Sequence, residues 1–376
     1  MRWIPLSFMI TLAAAGELSA QVLTVDQAVE EALRANPAAQ AAEARAGAAV
    51  SRSKQAKGHR WGRLDLAETY NYTNNPAEAF ALTLNQGRFD FDEFFSSDPN
   101  NPAGLSTWMT TLDLTLPIYT GGKIGTRVEQ AETMAGADAE TWRHVTEQVA
   151  FDTSTAFVNL AKARENVELL EKARRTTEEH VKLAEAYAEQ GIILSADVLT
   201  ARVYLSEMDD MLQQATNGAR LAEAALNFQM GADQSTPRSL APMPSPLAVS
   251  GELDDWTAAA VENRHDLKAA TQQLAAGRLE TKAARSGYLP EVAVVGRYGL
   301  YDDSIFGSNG HSGTIMAVAK INLFGGIADS KSHKAAELDT VGFEADIRRF
   351  EEGVRLEVRQ AWQDLETARA RHATAV

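Results

Sequence analysis

The residue types that could carry out chemistry are scattered along this chain rather than grouped. None of the seven histidines forms a pair at metal-ligand spacing, and the chain has no cysteine. The run Glu178-Glu179-His180 is more typical of a solvated helix face than of a site. Gly121 and Gly122 lack the lysine and hydroxyl spacing of a phosphate-binding loop. The sequence therefore predicts no enzyme, no bound metal and no cofactor.

One acidic loop is a weak candidate for binding a divalent cation. Residues 90–93 read Asp-Phe-Asp-Glu and residues 98–101 read Asp-Pro-Asn-Asn, inside a predicted loop over 74–104. Carboxylate and amide oxygens are the ligands that such cations prefer. A plain solvated loop has the same composition, and we favour that interpretation.

The composition argues against nucleic acid as a partner. The chain of 376 residues has a formal net charge of −15 and no clustered basic segment. Because phosphate backbones are bound by clusters of Lys and Arg, we predict no nucleic-acid partner. The absence of cysteine excludes disulfides, thiolate metal sites and a lipid anchor on cysteine.

The first 20 residues have the pattern of a secretory signal peptide. Arg2 precedes an apolar run over 4–15, and small residues follow up to Ala20, after which we predict cleavage. The run is too short to span a bilayer, and no later segment reaches the roughly 18 apolar residues that a transmembrane helix needs. Any insertion into a membrane is therefore expected to use another kind of structure.

Two long helices joined by a tight turn must organise the chain. The segment 124–190 contains no proline, and as one helix it would be roughly 100 Å long. The chain then turns at 190–195 and returns in a helix that reaches Met230, which predicts an antiparallel hairpin. Apolar and small residues recur in the first helix at alternating three- and four-residue steps, as in a coiled-coil seam. The predicted seam is Phe157, Leu160, Ala163, Val167, Leu170, Thr177, Val181, Ala184 and Ala188.

The turn of this hairpin is predicted to have an apolar tip. Gly191 suits the positive φ found after a helix C-terminus, and Ser195 is predicted to be the N-cap of the returning helix. Ile192, Ile193 and Leu194 lie between them, at the end of a rod where a core cannot easily cover them. An exposed apolar tip indicates a contact with a partner protein or with a neighbouring copy of the chain, and both interpretations stay open here.

Comparison of the chain with itself predicts a duplicated unit. The segment 32–37 matches 260–265, and the segment 117–121 matches 322–326. The second copy ends before the counterpart of the tip and the returning helix, so we expect it to be truncated. The predicted organisation is a signal peptide (1–20), a first repeat of helix, two strands and helical hairpin (21–230), a proline-rich linker (231–252) and a second repeat (253–376).

Four segments alternate between polar and apolar residues as β-strands do. The alternation is clear in 64–72 and 108–118 and weaker in 292–301 and 314–323. Segments of about ten alternating residues fit tilted outer-membrane strands, although a half-buried soluble sheet has the same pattern. If the strands form a barrel, the polar residues at odd positions either line its lumen or simply solvate its interior. These residues are Asp65, Thr69, Asp113 and Thr115.

Four strands are too few to close a barrel, for which about eight is the smallest working number. Open edges are not tolerated in lipid, so several copies must share one barrel, and three copies would supply twelve strands. Tyr70, Tyr72 and Trp108 would then lie in the aromatic girdle. The acidic Asp65 and Asp113 would favour cations in the lumen.

Taken together, these segments resemble the TolC-type outer membrane efflux protein family. The matching features are the opening Leu23-Thr24-Val25 with Asn36-Pro37, the strand-to-helix junction over 116–122 and the hairpin signature over 187–201. The resemblance covers nearly the whole mature chain. One departure is His265, which stands where the family usually has proline.

The resemblance implies a mainly α fold with transmembrane β-structure. Long antiparallel coiled-coil hairpins would form an α-barrel in the periplasm, and the four strands of each chain would join a trimeric 12-stranded barrel in the outer membrane. Such a homotrimer is the exit duct of a tripartite efflux pump or type I secretion system. The implied partners are a periplasmic adaptor (membrane fusion) protein, an inner-membrane transporter and outer-membrane lipid. The implied adaptor contact is Gly191, Ile192, Leu194, Ser195 and Asp197.

The residues alone also permit two other classes of protein. A soluble periplasmic coiled-coil scaffold or adaptor would combine the helical hairpin with a small sheet sandwich, and would extract into aqueous buffer. A secreted solute-binding module would need a compact domain with a concave apolar pocket. The sequence indicates no such domain.

Overall fold

A computed structural model describes residues 22–243 and 249–375, so the signal peptide predicted for 1–20 lies outside the described residues. The chain divides into two compact units. The first contains the residues up to Ala42 and Val145–Ser250, and the second contains Glu43–His144 and the residues from Gly251 onward. The two units are described separately below.

The elements alternate between helices and strands. Up to residue 230 they are α1 (Val25–Ala35), α2 (Pro37–Gly58), β1 (Arg63–Thr73), α3 (Pro76–Asn85), α4 (Phe91–Ser96), β2 (Leu105–Thr120), α5 (Lys123–Glu189) and α6 (Ser195–Gln229). The later elements are α7 (Leu253–Asn263), α8 (His265–Arg285), β3 (Glu291–Asp302), β4 (Gly310–Lys320) and α9 (Ala328–Ala375). The helix predicted for 124–190 agrees with α5 to within one residue at both ends, and the predicted end at Met230 agrees with the end of α6 to within one residue. The four strands agree to within a few residues.

The apolar core of the first unit lies where α1, α5 and α6 meet. Phe157 and Leu160 of α5 are fully buried against Leu226 and Met230, and Leu23 and Ala28 complete the cluster. Burying a side chain of this size stabilises the fold by about 1.5–3 kcal/mol. Every residue of the seam predicted along α5 is buried or half-buried, so the predicted seam is confirmed.

A close backbone contact joins the end of α6 to the junction of α1 and α2. Asn36 Nδ2 donates to the Gln229 carbonyl at 2.7 Å, and Asn36 Oδ1 accepts from the Ala38 N–H at 2.7 Å. Gly231 follows with a φ of +67°. A Cβ on Gly231 would lie 2.4 Å from the Ala35 carbonyl oxygen, so only glycine fits.

The chain beyond α6 makes turns over 231–235 and then runs alongside Leu23. Leu23 forms a parallel bridge with Leu240, and the Leu23 N–H donates to the Ser239 carbonyl at 2.7 Å. The Ala241 N–H donates back to the Leu23 carbonyl at 2.9 Å. Within 231–243 and 249–252 the chain forms no helix.

The second unit contains a four-stranded antiparallel sheet in the order β1-β2-β3-β4. Its register places Asp65 opposite Asp113 and Asp113 opposite Arg297. The register shifts between Pro117 and Tyr119, where proline has no N–H for the ladder. Among the described residues, β1 and β4 each have one edge that no strand pairs with.

The segment between β1 and β2 forms two helices, α3 and α4, where the sequence predicts a plain loop. Asn75 caps α3 by accepting from the N–H of Glu78 at 3.2 Å, and Asp90 caps α4 by accepting from the N–H of Asp92 at 2.8 Å. The Asp90 carboxylate of the cation-binding candidate is thus engaged by a helix N-terminus. Phenylalanine rings pack around α4, namely Phe80, Phe89, Phe91, Phe94 and Phe95.

None of the helices in the described ranges is both long enough and apolar enough to cross a bilayer.

Candidate functional site

The hairpin tip is the turn between α5 and α6. The Ile192 N–H donates to the Tyr187 carbonyl at 2.9 Å, and the Gly191 N–H donates to the Ala188 carbonyl at 3.0 Å. Gly191 has a φ of +75°. These bonds form a Schellman motif, which satisfies the last carbonyls of α5. The local role predicted for Gly191 is therefore confirmed.

The start of α6 differs from the prediction. Leu194 occupies the N-cap position, and Ser195 is the first helical residue, so the N-cap role predicted for Ser195 is wrong. The Leu194 N–H donates to the Asp197 carboxylate at 3.0 Å. A carboxylate in the first turn also interacts favourably with the positive end of the helix dipole. Asp197 therefore orders the turn that presents Leu194.

Apolar side chains at the tip are exposed to solvent. Leu194 is 72% exposed and Ile192 is 62% exposed. Leu199 and Tyr187 extend this exposed area along the two helices, and we call these four residues the tip surface. Arg202 braces the stem, because its Nη2 donates to the Glu185 carboxylate at 2.7 Å. A rigid turn with bare apolar side chains is typical of a protein contact site.

The β-sheet has one strongly apolar face. Register pairs place Leu64 beside Leu114 and Leu66 beside Leu112, and all four leucines are exposed. Ile315 continues this face on β4 and is 83% exposed. Near the end that leads to α3, the rings of Tyr70 and Trp108 form a cross-strand pair with centroids 5.0 Å apart. We call this surface the apolar face; its exposed area suits contact with lipid or protein better than contact with water.

The opposite, polar face carries the four residues predicted to line a lumen. Asp65 and Asp113 lie side by side, whereas Thr69 pairs with Met109 and Thr115 pairs with Arg63. The structure thus brings the two aspartates together, and Thr69 lies further toward the other end of the sheet. Alternation along the strands places all four on the same face.

Sequence reasoning missed the arginine partners of these aspartates. Arg297 Nε donates to Asp113 Oδ1 at 2.5 Å, and Arg63 Nε donates to Asp65 Oδ2 at 2.5 Å. Arg63 lies just outside the predicted strand, and the Asp113–Arg297 pair depends on the register of β2 against β3. Each aspartate is therefore locally balanced by a cation.

Histidine–carboxylate contacts join the start of α8 to α5. His265 Nδ1 lies 2.6 Å from Glu140 Oε2, and His144 Nδ1 lies 4.0 Å from Asp266 Oδ2. The hydrogen bond with His265 lowers the pKa of Glu140, and the charge of Arg143 adds to the effect. Burial opposes ionisation of Asp266, but bonding to Arg264 outweighs it and lowers the pKa of this carboxyl as well. The imidazole at position 265 thus has a structural partner.

Replacing Glu140 by Gln should destabilise the protein in a pH-dependent way. A lowered folded-state pKa means that the ionised carboxylate stabilises the fold above the ordinary glutamate pKa, and that this stabilisation is lost as the pH falls through the folded value. We expect a loss of about 1–2 kcal/mol at neutral pH that shrinks in acid. Thermal unfolding of both proteins across pH would measure it. Glu352→Gln, at an exposed position on α9, should show no such trend.

An exposed apolar turn on a long helical hairpin, combined with an amphipathic four-stranded sheet, defines the fold of TolC-like outer-membrane channels. The family model of the outer membrane efflux protein matches residues 28–232, which is more than half of the chain. The chain therefore belongs to the outer membrane efflux protein family. This confirms the predicted family and the predicted localisation in the outer membrane, and the family is one of channels rather than enzymes.

Individual relatives and structures agree with this assignment. Protein CyaE of Bordetella pertussis is 26% identical over 73% of this chain and 59% of its own length. Outer membrane efflux protein BepC of Brucella suis is 23% identical over 70% of this chain and 58% of its own. The chain thus spans somewhat more than half the length of these curated relatives.

Solved structures confirm the predicted fold class. The outer membrane protein VceC of Vibrio cholerae superposes with a TM-score of 0.74 at 18% identity, covering 92% of this chain and 80% of that one. The Campylobacter jejuni CmeC outer membrane channel gives a TM-score of 0.73 at 14% identity, covering 92% and 73% of the two chains.

Proposed function

We propose that this protein is the outer-membrane exit duct of a tripartite efflux pump or type I secretion system. It conducts substrate passively toward the exterior, and the partner transporter supplies the energy. The observation that carries this proposal is the four-stranded sheet, which has one exposed apolar face and two outer edges that pair with no other strand in the described part of the chain. In lipid, the backbone N–H and C=O groups along these edges find hydrogen-bond partners only if the sheet joins the sheets of further copies.

Three copies would close a 12-stranded barrel, so we propose a homotrimer with its helical portion in the periplasm. The apolar face then contacts outer-membrane lipid. We also propose the duplicated organisation of 21–230 and 253–376 around the linker 231–252. The order helix, helix, strand, strand and long helix recurs on both sides of the linker, apart from α3 and α4 between the strands of the first copy, and this recurrence supports it.

The tip surface supports a docking role for the hairpin. We propose that Gly191, Ile192, Leu194, Ser195 and Asp197 contact a periplasmic adaptor (membrane fusion) protein, which links the duct to an inner-membrane transporter. Gly191 and Asp197 hold the turn, whereas Ile192 and Leu194 supply exposed apolar area. Apolar anchors at the centre of an interface contribute most of its binding energy.

In this assembly Asp65, Thr69, Asp113 and Thr115 line the lumen. Because Arg297 and Arg63 balance the two aspartates, the preference for cations that acidic residues alone would give is reduced.

Arg297→Ala should therefore raise the cation selectivity of the channel several-fold. The substitution leaves the Asp113 carboxylate without its cation, and a closed trimer repeats the change three times around the pore. Reversal potentials in a salt gradient across a planar bilayer would measure it. Arg88→Ala removes the same charge from a contact with Asp303 in the loops and should have a smaller effect. Identical reversal potentials for both variants would place Arg297 away from the conducting path.

The proposed function is tested by membrane fractionation of the tagged protein, followed by crosslinking and conductance measurement. The expected result is recovery from outer membranes in detergent, a crosslinked trimer and discrete conductance steps in a lipid bilayer. Extraction in aqueous buffer as a monomer would instead indicate a soluble coiled-coil scaffold and would overturn the proposal.

A further inference from the structure

We propose that the groove between α8 and α9 binds the phosphate headgroup of an anionic phospholipid in the periplasmic leaflet. The inference rests on the proposed position of the sheet in the membrane. The expected ligand is a phospholipid with a net negative headgroup. The charge, the exposure and the position of the groove support this inference.

The groove is cationic although the whole chain is acidic. It has a volume of about 620 Å³, and its lining includes four cationic side chains and one anionic side chain, Glu337. The chain as a whole has a net charge of −15. The cations are Arg278, Lys282 and Arg285 of α8 and Lys334 of α9. Local charge of this sign suits a phosphate.

Arg285 is the cation best placed to receive that phosphate. Its Nε donates to His333 Nε2 at 2.9 Å. Among the described residues no carboxylate forms an ion pair with Arg285. Its guanidinium therefore brings an uncompensated charge to the groove, with further N–H donors for a phosphate.

The other three cations have only weak partners. Lys334 lies 3.2 Å from Glu337, and Lys282 lies 3.5 Å from Glu129, with both lysine side chains more than half exposed. Arg278 contacts Glu344 at 2.9 Å in a similarly exposed pair. Exposed pairs of this kind contribute little to stability, so a phosphate can compete for the cations at small cost.

The groove lies directly beside the end of the sheet from which the helices leave. α8 ends at Arg285, and β3 begins at Glu291, which pairs with Lys320 at the end of β4. From Arg278 to Arg285 the helix rises roughly 10 Å. The headgroup layer of one leaflet is roughly 5–8 Å thick. In the proposed assembly Arg285, at the end of α8, is therefore the α8 cation nearest to the layer of lipid phosphates, and Arg278 lies further from the sheet.

An exposed apolar segment next to the groove favours a lipid over a free phosphate ion. The chain from 321 to 327 connects β4 to α9, and four of its side chains are exposed by 51–88%. These are Ile321, Leu323, Phe324 and Ile327. Apolar side chains beside cations match the boundary between acyl chains and headgroups, because the apolar side chains can contact the acyl chains. Inorganic phosphate has no acyl chain to make this contact.

The test is a lipid titration of the purified protein in neutral detergent, with binding measured by calorimetry. The probes are short-chain phosphatidylglycerol, phosphatidylcholine and inorganic phosphate. Wild type should bind phosphatidylglycerol saturably and the other two far more weakly. The triple variant Lys282→Gln, Arg285→Gln, Lys334→Gln should bind phosphatidylglycerol roughly tenfold to a hundredfold more weakly.

A matched control removes the same charge from α9 further from the sheet, by Arg348→Gln, Arg349→Gln and Arg359→Gln at exposed positions. It should bind lipid like wild type, and circular dichroism should show both variants folded. Equal binding by the two variants, or equal affinity for inorganic phosphate, would overturn the inference. Conductance in phosphatidylcholine bilayers distinguishes failure of the lipid site from failure of the proposed duct. If channels form but lipid binding does not depend on the groove, the lipid site alone is refuted. If no channels form, the proposed duct is refuted.

Discussion

Leu194→Asp should abolish partner-dependent export and leave the channel itself intact. Leu194 is 72% exposed at the tip, so the free protein loses little by the change. In a docked interface the new carboxylate would be buried without a partner, which costs roughly 3–5 kcal/mol and weakens binding at least a hundredfold. The measurement compares export by cells that contain the whole pump with conductance of the purified channel in a bilayer.

Thr200→Asp is the matched control for this substitution. It introduces the same charge into α6, at an exposed position that was already polar. Export should persist in the control. If Leu194→Asp exports as well as Thr200→Asp does, the tip surface does not dock the adaptor; if conductance is also lost, the substitution has damaged the channel itself.

The same change at two glycines near the end of α6 should shift stability in opposite directions. Gly231→Ala forces a Cβ to within 2.4 Å of the Ala35 carbonyl oxygen and places alanine at a φ of +67°. The left-handed backbone costs about 1–2 kcal/mol and the clash a further 1–3 kcal/mol. Gly218→Ala adds a methyl group to a helix interior with nothing within 4 Å, and should stabilise by about 0.5–1 kcal/mol.

Thermal unfolding of the two variants beside wild type measures this pair. We expect the midpoint of Gly231→Ala to fall and that of Gly218→Ala to rise. Two shifts of the same sign would mean that the contact between Gly231 and Ala35 does not limit the packing of α6 against the junction of α1 and α2.

Local signals account for what the sequence predicted well. The seam along α5 follows from apolar spacing, and Gly191 follows from the need for a positive φ after the helix. The helices α3 and α4 also have local signals in the sequence, since Asn75 precedes a proline and Asp90 precedes two acidic residues at helix N-termini. The acidic residues at 90–93 and 98–101 favour a solvated loop, whereas the capping residues Asn75 and Asp90 indicate helices.

Contacts between distant residues account for what the sequence did not predict. The pair of Asp113 and Arg297 exists because β2 and β3 adopt one particular register, and alternation along each strand does not fix that register. Leu194 precedes α6 without a capping side chain of its own, because Asp197 reaches back to its N–H. A plausible capping residue one position later, Ser195, concealed this arrangement.

In the proposed trimer, the outer edges of β1 and β4, which pair with no strand among the described residues, would join each copy to two neighbours in a closed ring. A mutant copy whose strand edge cannot pair would leave a gap in the barrel that its neighbours cannot fill. One mutant subunit would therefore inactivate the whole trimer. In cells that make both wild-type and mutant chains, such a mutant should act dominantly. The fraction of inactive trimers should exceed the fraction of chains that are mutant.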